Sequence, residues 1–495
     1  MMLALSRSAA ADNSFDAAAT ADVFATALAF MVPRTLDPIP ASRLTVWGLG
    51  GLAALDPALT ISEDAHRLML HAGNRVVVSL PPPRDDDTDA WANAAAAIAK
   101  AGWAASPALR GAGQQAIISS FFDDMFNHLD PYSRYIPPDD ARADQATRDG
   151  SAGIGVEVDG PPGQVRISAV QVNAPAWAAG LQPGARIIAV DGQSTAGQNA
   201  DTVTDWLNGP DGSDVHLSLA DPRGRRRAIT LTRTLIAPET VYADHRAGIL
   251  TLRITGFSRE TDTRVEEEIA AALSDAPRLR GVILDLRGNR GGLLRQAVLV
   301  ADAIQGGGVV AVTEGRDPEA SVIWRSGPDD MTKGLPIVVL VDGRTASAAE
   351  ILSAALQDQG RAVIVGSATL GKGLVQTIAP LPDGGELFVT WSRVITPAGY
   401  PLQGLGVLPQ ICTSLGQPHI DRQFAALARG ELLSGPALQR HDAARAPVPL
   451  PQVIDIRATC PAAEGRDADV AAARKLLASP PEYAAARLSI ALPAP

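Results

Sequence analysis

Cysteine is almost absent from this 495-residue chain, which has only Cys412 and Cys460. Two cysteines cannot build a four-cysteine zinc site, and these lack C-x-x-C spacing. That leaves two buried thiols, or one bridge closing a loop near the C-terminus, and a bridge would imply an oxidising compartment. Long apolar runs are also missing. Asp, Arg or Gly interrupts every stretch before the roughly 18 residues that a spanning helix needs, which excludes a polytopic membrane protein. Positive charge is scarce: 43 Lys and Arg face 54 Asp and Glu, a net charge of -11 that argues against nucleic acid as a partner. The start, MMLALSRSAAADNSFDAAAT, has a five-residue apolar segment with no basic residues before it, too short for the apolar core of a secretion signal. The expectation is that the protein stays inside, or that a different start serves for export.

What is present is a globular composition, 46% hydrophobic and 20% charged, with enough length for about three domains. Residues 1–114 are Ala-rich and mostly helical in pattern, broken by PPPRDDDTD at Pro81–Asp89. Residues 115–149 read as one helix ending at Asp130-Pro131, where proline stops it, and then as a loop, YSRYIPPDDARADQ. From Gly150 the texture changes to short β-type runs such as GIGVEV, ARIIAVDG and DVHLSLA, with one helical stretch, TVTDWLNG, so residues 150–235 read as a small, mostly β module. Residues 236–412 alternate apolar strands (GVILDLRG, PIVVLV, RAVIVG) with helices (TRVEEEIAAALSD, LLRQAVLVADAI, SAAEILSAALQD), then close with a hairpin, LVQTIAPL and ELFVTWSRVI. The fold class is α/β, with βαβ units around a parallel sheet buried on both faces. Residues 413–495 are rich in Pro and Ala, with one helix expected at DADVAAARKLLAS.

Three places in the α/β region could carry chemistry. GSATLGKG, Gly366–Gly373, follows an apolar strand and matches the P-loop pattern except at its end, where Gly373 replaces the Mg2+-binding hydroxyl. Ser347 begins a helix directly after PIVVLV; with Glu350 it fits the capping box S-x-x-E, and on spacing alone a helix cap is the simpler reading. No G-x-S-x-G elbow surrounds it, and none of the seven histidines lies between Gly281 and Gly373. A lysine whose ammonium is disfavoured by burial can take the place of a histidine base, and Lys372 is the one lysine placed to do so. Gln376 follows four residues later and could orient its amine if the loop bends. LDLRGNRGGLL, Leu284–Leu294, ends a strand in a Gly-rich turn; the N–H groups of Gly291 or Gly292, with that of Ala348, would make a two-donor oxyanion hole.

These runs together resemble the C-terminal processing, or tail-specific, serine peptidases. The likeness rests on DGRTASAAEI, GKGLVQT, LDLRGNRGG and TPAGYPLQGLGVLPQI, and on HLDPYSRYIPP, APAWAAGLQPGARIIAVDG, NGPDGSDVHLSL and LRITGFS, in consistent order over about residues 115–412. It implies an endopeptidase with Ser347 as nucleophile, Lys372 as general base and Gln376 as the residue that orients the lysine, needing no metal or other cofactor. The β module would be an inserted PDZ domain, in which Gly153, Ile154, Gly155 and Val156 capture a substrate's terminal carboxylate and the next strand accepts the peptide. The partners implied are protein or peptide substrates held by their C-terminal tails, with room for a regulatory partner or oligomer, in the cell envelope. Arg344-Thr345 and Ala349 depart from the family's usual residues around the nucleophile. The alternative from another class is a silent PDZ adaptor that binds tails without cutting them, and a nucleotide-binding P-loop protein is a distant third.

Overall fold

The computed structural model describes residues 14–64, 66–275 and 278–487; the expectation about the first residues of the chain falls largely outside these. At its centre is a six-stranded sheet in the order Val241–Arg246, Ile249–Ile254, Gly281–Asp285, Ile337–Val341, Ala362–Gly366, Ile411–Cys412. All neighbours are parallel except the first hairpin. Every residue of Gly281–Asp285, Ile337–Val341 and Ala362–Gly366 is buried, as continuous apolar runs in a two-sided parallel sheet require. One face packs on the helices Thr261–Ser274, Leu294–Gln305 and Ala348–Asp358, whose Val265, Ile269, Val300, Ile304, Leu352 and Leu356 enter one core. The other face, through Ile283, Val338, Leu340, Val363 and Val365, packs on the C-terminal helices.

A second, antiparallel sheet lies beside this core in the order Val322–Ser326, Gly308–Gly315, Glu386–Ile395, Leu374–Pro380, with Arg134–Ile136 paired to the long Glu386–Ile395 strand. The closing hairpin expected from the sequence is here. The segment expected to be a loop after Asp130 is instead a short strand, Arg134–Ile136, and a helix, Pro138–Asp149. Pro138 occupies the first helical turn, where its missing N–H costs nothing, and Asp139 and Asp140 favour the same end.

The N-terminal part is mostly helical, but it also contains a three-stranded antiparallel sheet, Leu59–Glu63, Leu68–Ala72 and Arg75–Leu80. Its aromatic core, including Phe24, Phe121, Phe122 and Phe126, continues into Leu381, Leu387 and Val389 of the closing hairpin. That continuity fixes the helix ending at Asn127, and the Asp130–Arg134 segment after it, against the second sheet. Residues 151–236 form a mostly β unit whose sheet runs Arg226–Thr232, Asp214–Ala220, Arg186–Val190, Arg166–Val170, Val156–Asp159. The expected helix is Ala200–Leu207.

Among the described residues the C-terminal part holds five helices, Gln417–Leu427, Gly435–Asp442, Leu450–Arg457, Asp467–Ala478 and Pro480–Ala486, where one was expected. Cys412 and Cys460 form a disulfide with Cα atoms 5.7 Å apart. It ties the last strand of the parallel sheet to the chain just past the Leu450–Arg457 helix.

Candidate active site

Ser347, Gly291 and Lys372 come from the ends of three neighbouring strands of the parallel sheet, where side chains and helix N-termini converge at the carboxyl edge. Ser347 is the N-cap of the Ala348–Asp358 helix and has φ 58° and ψ -121°. A non-glycine residue in that region costs about 1–3 kcal/mol. A strained strand-to-helix turn of this sort lifts a side chain clear of the sheet, although no G-x-S-x-G sequence surrounds it. Thr345 braces the turn from below: its hydroxyl donates to Leu286 O at 2.9 Å, and its N–H donates to Asp342 Oδ1 at 3.0 Å. Thr345 is fully buried, so this departure from the family's usual residues has a structural role.

The Gly-rich turn lies against Ser347. A Cβ on Gly291 would stand 2.8 Å from Ser347 Cβ and 3.0 Å from the Ala348 nitrogen, and the residue has φ 99°. Both facts require glycine. Buried Asn289 holds this turn to the next one, its side-chain amide donating to Ile254 O at 2.8 Å and its backbone carbonyl accepting Ala346 N–H at 2.9 Å. Its Oδ1 accepts the Gly291 N–H at 2.8 Å. The Gly291 N–H is therefore engaged within its own turn. The Gly292 N–H takes no part in the bridge to Phe257, which runs from Phe257 N–H to Gly291 O and from Leu293 N–H to Phe257 O. The Ala348 N–H is the first donor of its helix, a position with no acceptor within the helix itself.

Lys372 is half-buried, and its Nζ lies over the Tyr132 ring, 4.8 Å from the centroid. Burial lowers its pKa from the ordinary lysine value, and the nearby Arg134 charge lowers it further, against opposition from Asp130 and Glu350. The environment thus favours the neutral amine. Gln376 does not hydrogen-bond the lysine: its Nε2 donates to Leu374 O and to Thr390 Oγ1, both at 3.1 Å. Thr390 Oγ1 donates in turn to Asp130 Oδ1 at 2.7 Å. Gln376 thereby belongs to a chain of contacts ending at a carboxylate whose charge Lys372 feels.

The residue that joins the two loops is Glu350, which the spacing identified only as half of a capping box. Its fully buried carboxylate accepts the Ser347 N–H at 2.8 Å, the Lys372 N–H at 2.9 Å, the Gly371 N–H at 2.6 Å and the Thr369 hydroxyl. Burial pushes its pKa up and the four donors pull it back. The partners beyond Ser347 lie 19–22 residues downstream, so no local pattern could reveal them.

Those contacts also exclude a phosphate cradle at Gly366–Gly373. The N–H groups of Ser367, Ala368, Thr369 and Leu370 donate to Val341 O, Cys460 O, Val407 O and Thr345 O. Those of Gly371 and Lys372 go to Glu350, and that of Gly373 goes to Gln403 Oε1 at 2.9 Å. No backbone N–H from Ser367 to Gly373 is left to face a phosphate.

In the β unit, Gly153, Ile154, Gly155 and Val156 line a cleft of about 430 Å3 whose opposite wall includes Thr204, Leu207 and Asn208. Gly155 has φ 73° and Ile154 is buried in the unit's core. Val156–Asp159 is the last strand of its sheet, so its outer edge faces this cleft without a strand partner in that sheet.

Residues 248–413 match peptidase family S41 and residues 166–221 match the PDZ domain. The chain is 34% identical over 301 residues to the carboxy-terminal-processing protease of Bartonella bacilliformis, an alignment that covers 60% of this chain and 69% of that protein. It is 34% identical over 299 residues to the carboxyl-terminal-processing protease of a Synechocystis species, covering 58% and 69%. Against the carboxy-terminal processing protease CtpA of Bacillus subtilis the identity is 33% over 289 residues, covering 58% and 61%.

Proposed function

The chain belongs to peptidase family S41, among the carboxy-terminal-processing serine proteases, and from that membership we propose that Ser347 is its nucleophile and Lys372 its general base. The observation that carries this reading is the single buried carboxylate of Glu350 joining the N–H groups of both residues. Neutral Lys372 accepts the Ser347 proton as Oγ attacks the scissile carbonyl, then gives it to the leaving amine. The oxyanion that forms is held by the Gly292 and Ala348 N–H groups. Water repeats the sequence on the acyl-enzyme. Gln376 acts at one remove, by fixing Thr390 against Asp130, whose charge opposes the lowering of the Lys372 pKa by burial and Arg134.

Substrates are proteins bound by their C-terminal tails. The terminal carboxylate sits at Gly153–Val156, and the tail pairs with the open edge of Val156–Asp159 as an added strand. We propose the division read from the sequence: a mostly helical region over 1–114, a connecting segment over 115–149, the PDZ domain over 150–235, the peptidase core over 236–412 and a C-terminal region over 413–495. The Cys412–Cys460 bridge supports an oxidising compartment such as the cell envelope. Among the described residues no helix is long and apolar enough to cross a membrane.

The test is substitution of the base. Lys372→Ala and Lys372→Arg are both expected to be inactive while remaining folded, the alanine because it has no base and the arginine because guanidinium holds its proton throughout the working pH range. Full peptidase activity in Lys372→Arg would remove lysine from the mechanism.

A further inference from the structure

The loops that carry Ser347 and Lys372 are held from outside by a segment that lies beyond the peptidase family match, which ends at residue 413. This segment, 457–465, follows the Leu450–Arg457 helix and crosses both loops. On the nucleophile side, Gly343 N–H donates to Ala463 O at 2.8 Å and Gly465 N–H donates to Asp342 Oδ2 at 3.1 Å. On the lysine side, Ser367 Oγ donates to Ala463 O at 3.0 Å, and Ala368 N–H donates to Cys460 O at 3.3 Å. The disulfide to Cys412 anchors the middle of the segment to the edge strand of the sheet.

The first residue of this segment makes the closest approach to the machinery. The half-buried guanidinium of Arg457 forks between two carbonyls, donating through Nη2 to Thr369 O and through Nη1 to Leu405 O, both at 2.7 Å. Thr369 is the residue whose hydroxyl donates to Glu350. Arg457 and Glu350 also flank the same small space: a Cβ on Gly406 would lie 3.0 Å from Glu350 Oε1 and 3.1 Å from Arg457 Nη1. The planar fork reaches two acceptors at fixed spacing, which an ammonium cannot do. The positive charge also stands close to the buried carboxylate that aligns Ser347 with Lys372.

We propose that residues 457–465 form a strap built onto the peptidase core, and that Arg457 is a positioning residue for the reaction, acting through Thr369 and Glu350 on the Ser347 and Lys372 loops. This rests on the Ser347 and Lys372 reading above. The strap touches the catalytic loops, and none of its residues lines the Gly153–Val156 cleft, so its loss changes the chemical step and leaves tail recognition in place.

Four full-length proteins test this: Arg457→Ala, Arg457→Lys, the double variant Cys412→Ser/Cys460→Ser, and Ser347→Ala. For each, kcat and KM are measured on an unfolded model substrate with an apolar C-terminal tail, together with the affinity for a tail peptide and the melting temperature. A shift of catalytic groups by about 1 Å can cost about 100-fold, so Arg457→Ala is expected to lose on the order of 100-fold in kcat with KM and peptide affinity unchanged. Arg457→Lys keeps the charge without the fork and should recover part of that loss. The double cysteine variant, folded but unanchored, should also fall in kcat alone. Wild-type kcat in folded Arg457→Ala, with Ser347→Ala inactive, would overturn the strap and leave the site reading intact. Equal losses in kcat, KM and peptide affinity would also overturn it, since they describe a general loss of fold. Activity in Ser347→Ala would instead overturn the site reading, and the strap with it.

Discussion

Removing the carboxylate of Glu350 should disable the enzyme by releasing two loops from each other, and the structure gives the size of the effect. Glu350→Ala strips the acceptor from three backbone N–H groups, those of Ser347, Gly371 and Lys372, and from the Thr369 hydroxyl. A buried donor left without a partner costs about 1–3 kcal/mol, so three N–H groups amount to about 3–9 kcal/mol. That rivals the roughly 5–15 kcal/mol that holds a domain together, so the alanine variant reports on stability more than on catalysis. Glu350→Gln is the sharper probe. Its one carbonyl oxygen can serve Ser347 and Lys372, and the Thr369 hydroxyl can turn to accept from the new amide. The Gly371 N–H is then left facing another donor, at a cost of about 1–3 kcal/mol. Urea denaturation should show that loss. Peptidase assays under conditions where the variant stays folded should show kcat reduced on the order of 100-fold, since the lysine loop shifts against Ser347. A Glu350→Gln enzyme as stable and as active as the wild type would refute the claim that this carboxylate aligns the site.

The pH dependence follows from Lys372. Because the folded site lowers its pKa below 10.5, the unfolded chain binds a proton that the folded site resists, so this lysine costs stability that grows as pH falls from 10.5 toward the folded value. Activity runs in the same sense: kcat/KM should rise with pH to a plateau, with a midpoint below the ordinary lysine value. Arg134→Gln, which removes the charge that depresses Lys372, should move the midpoint up, and Asp130→Asn should move it down; a midpoint unmoved by both would place the titration elsewhere. The Cys412–Cys460 bridge spans 48 residues, and closing a loop of that size contributes about 4 kcal/mol in the chain-entropy account. Two cysteines should therefore become open to alkylation only after unfolding with reductant, with a marked fall in melting temperature on reduction; alkylation of the untreated protein would contradict the bridge.

The parallel core was legible because strands such as PIVVLV and RAVIVG are buried on both faces and read as unbroken apolar runs between helices with one apolar stripe. The C-terminal helices were not, because the region is rich in proline, a residue common in loops, yet Pro418, Pro436, Pro451 and Pro481 each stand in the first turn of a helix. The same residue type hid the helix that begins at Pro138. The Val322–Ser326 strand alternates half-buried and exposed residues at a sheet edge, a weak signal beside the core strands. At the site, strand ends and glycines located Ser347, Lys372 and the Gly-rich turn. Sequence could not show that Glu350 and Arg457 bind loops far from them along the chain, because those bonds exist only once the loops have been brought together.

The most direct test of the central claim is incubation of the full-length protein and its Ser347→Ala variant with an unfolded substrate bearing an apolar C-terminal tail, with products read by mass spectrometry. The account predicts cleavage by the wild type and an intact substrate with Ser347→Ala, both proteins binding the tail equally well. Cleavage by both, or tail binding without cleavage by the wild type at any pH, would contradict it.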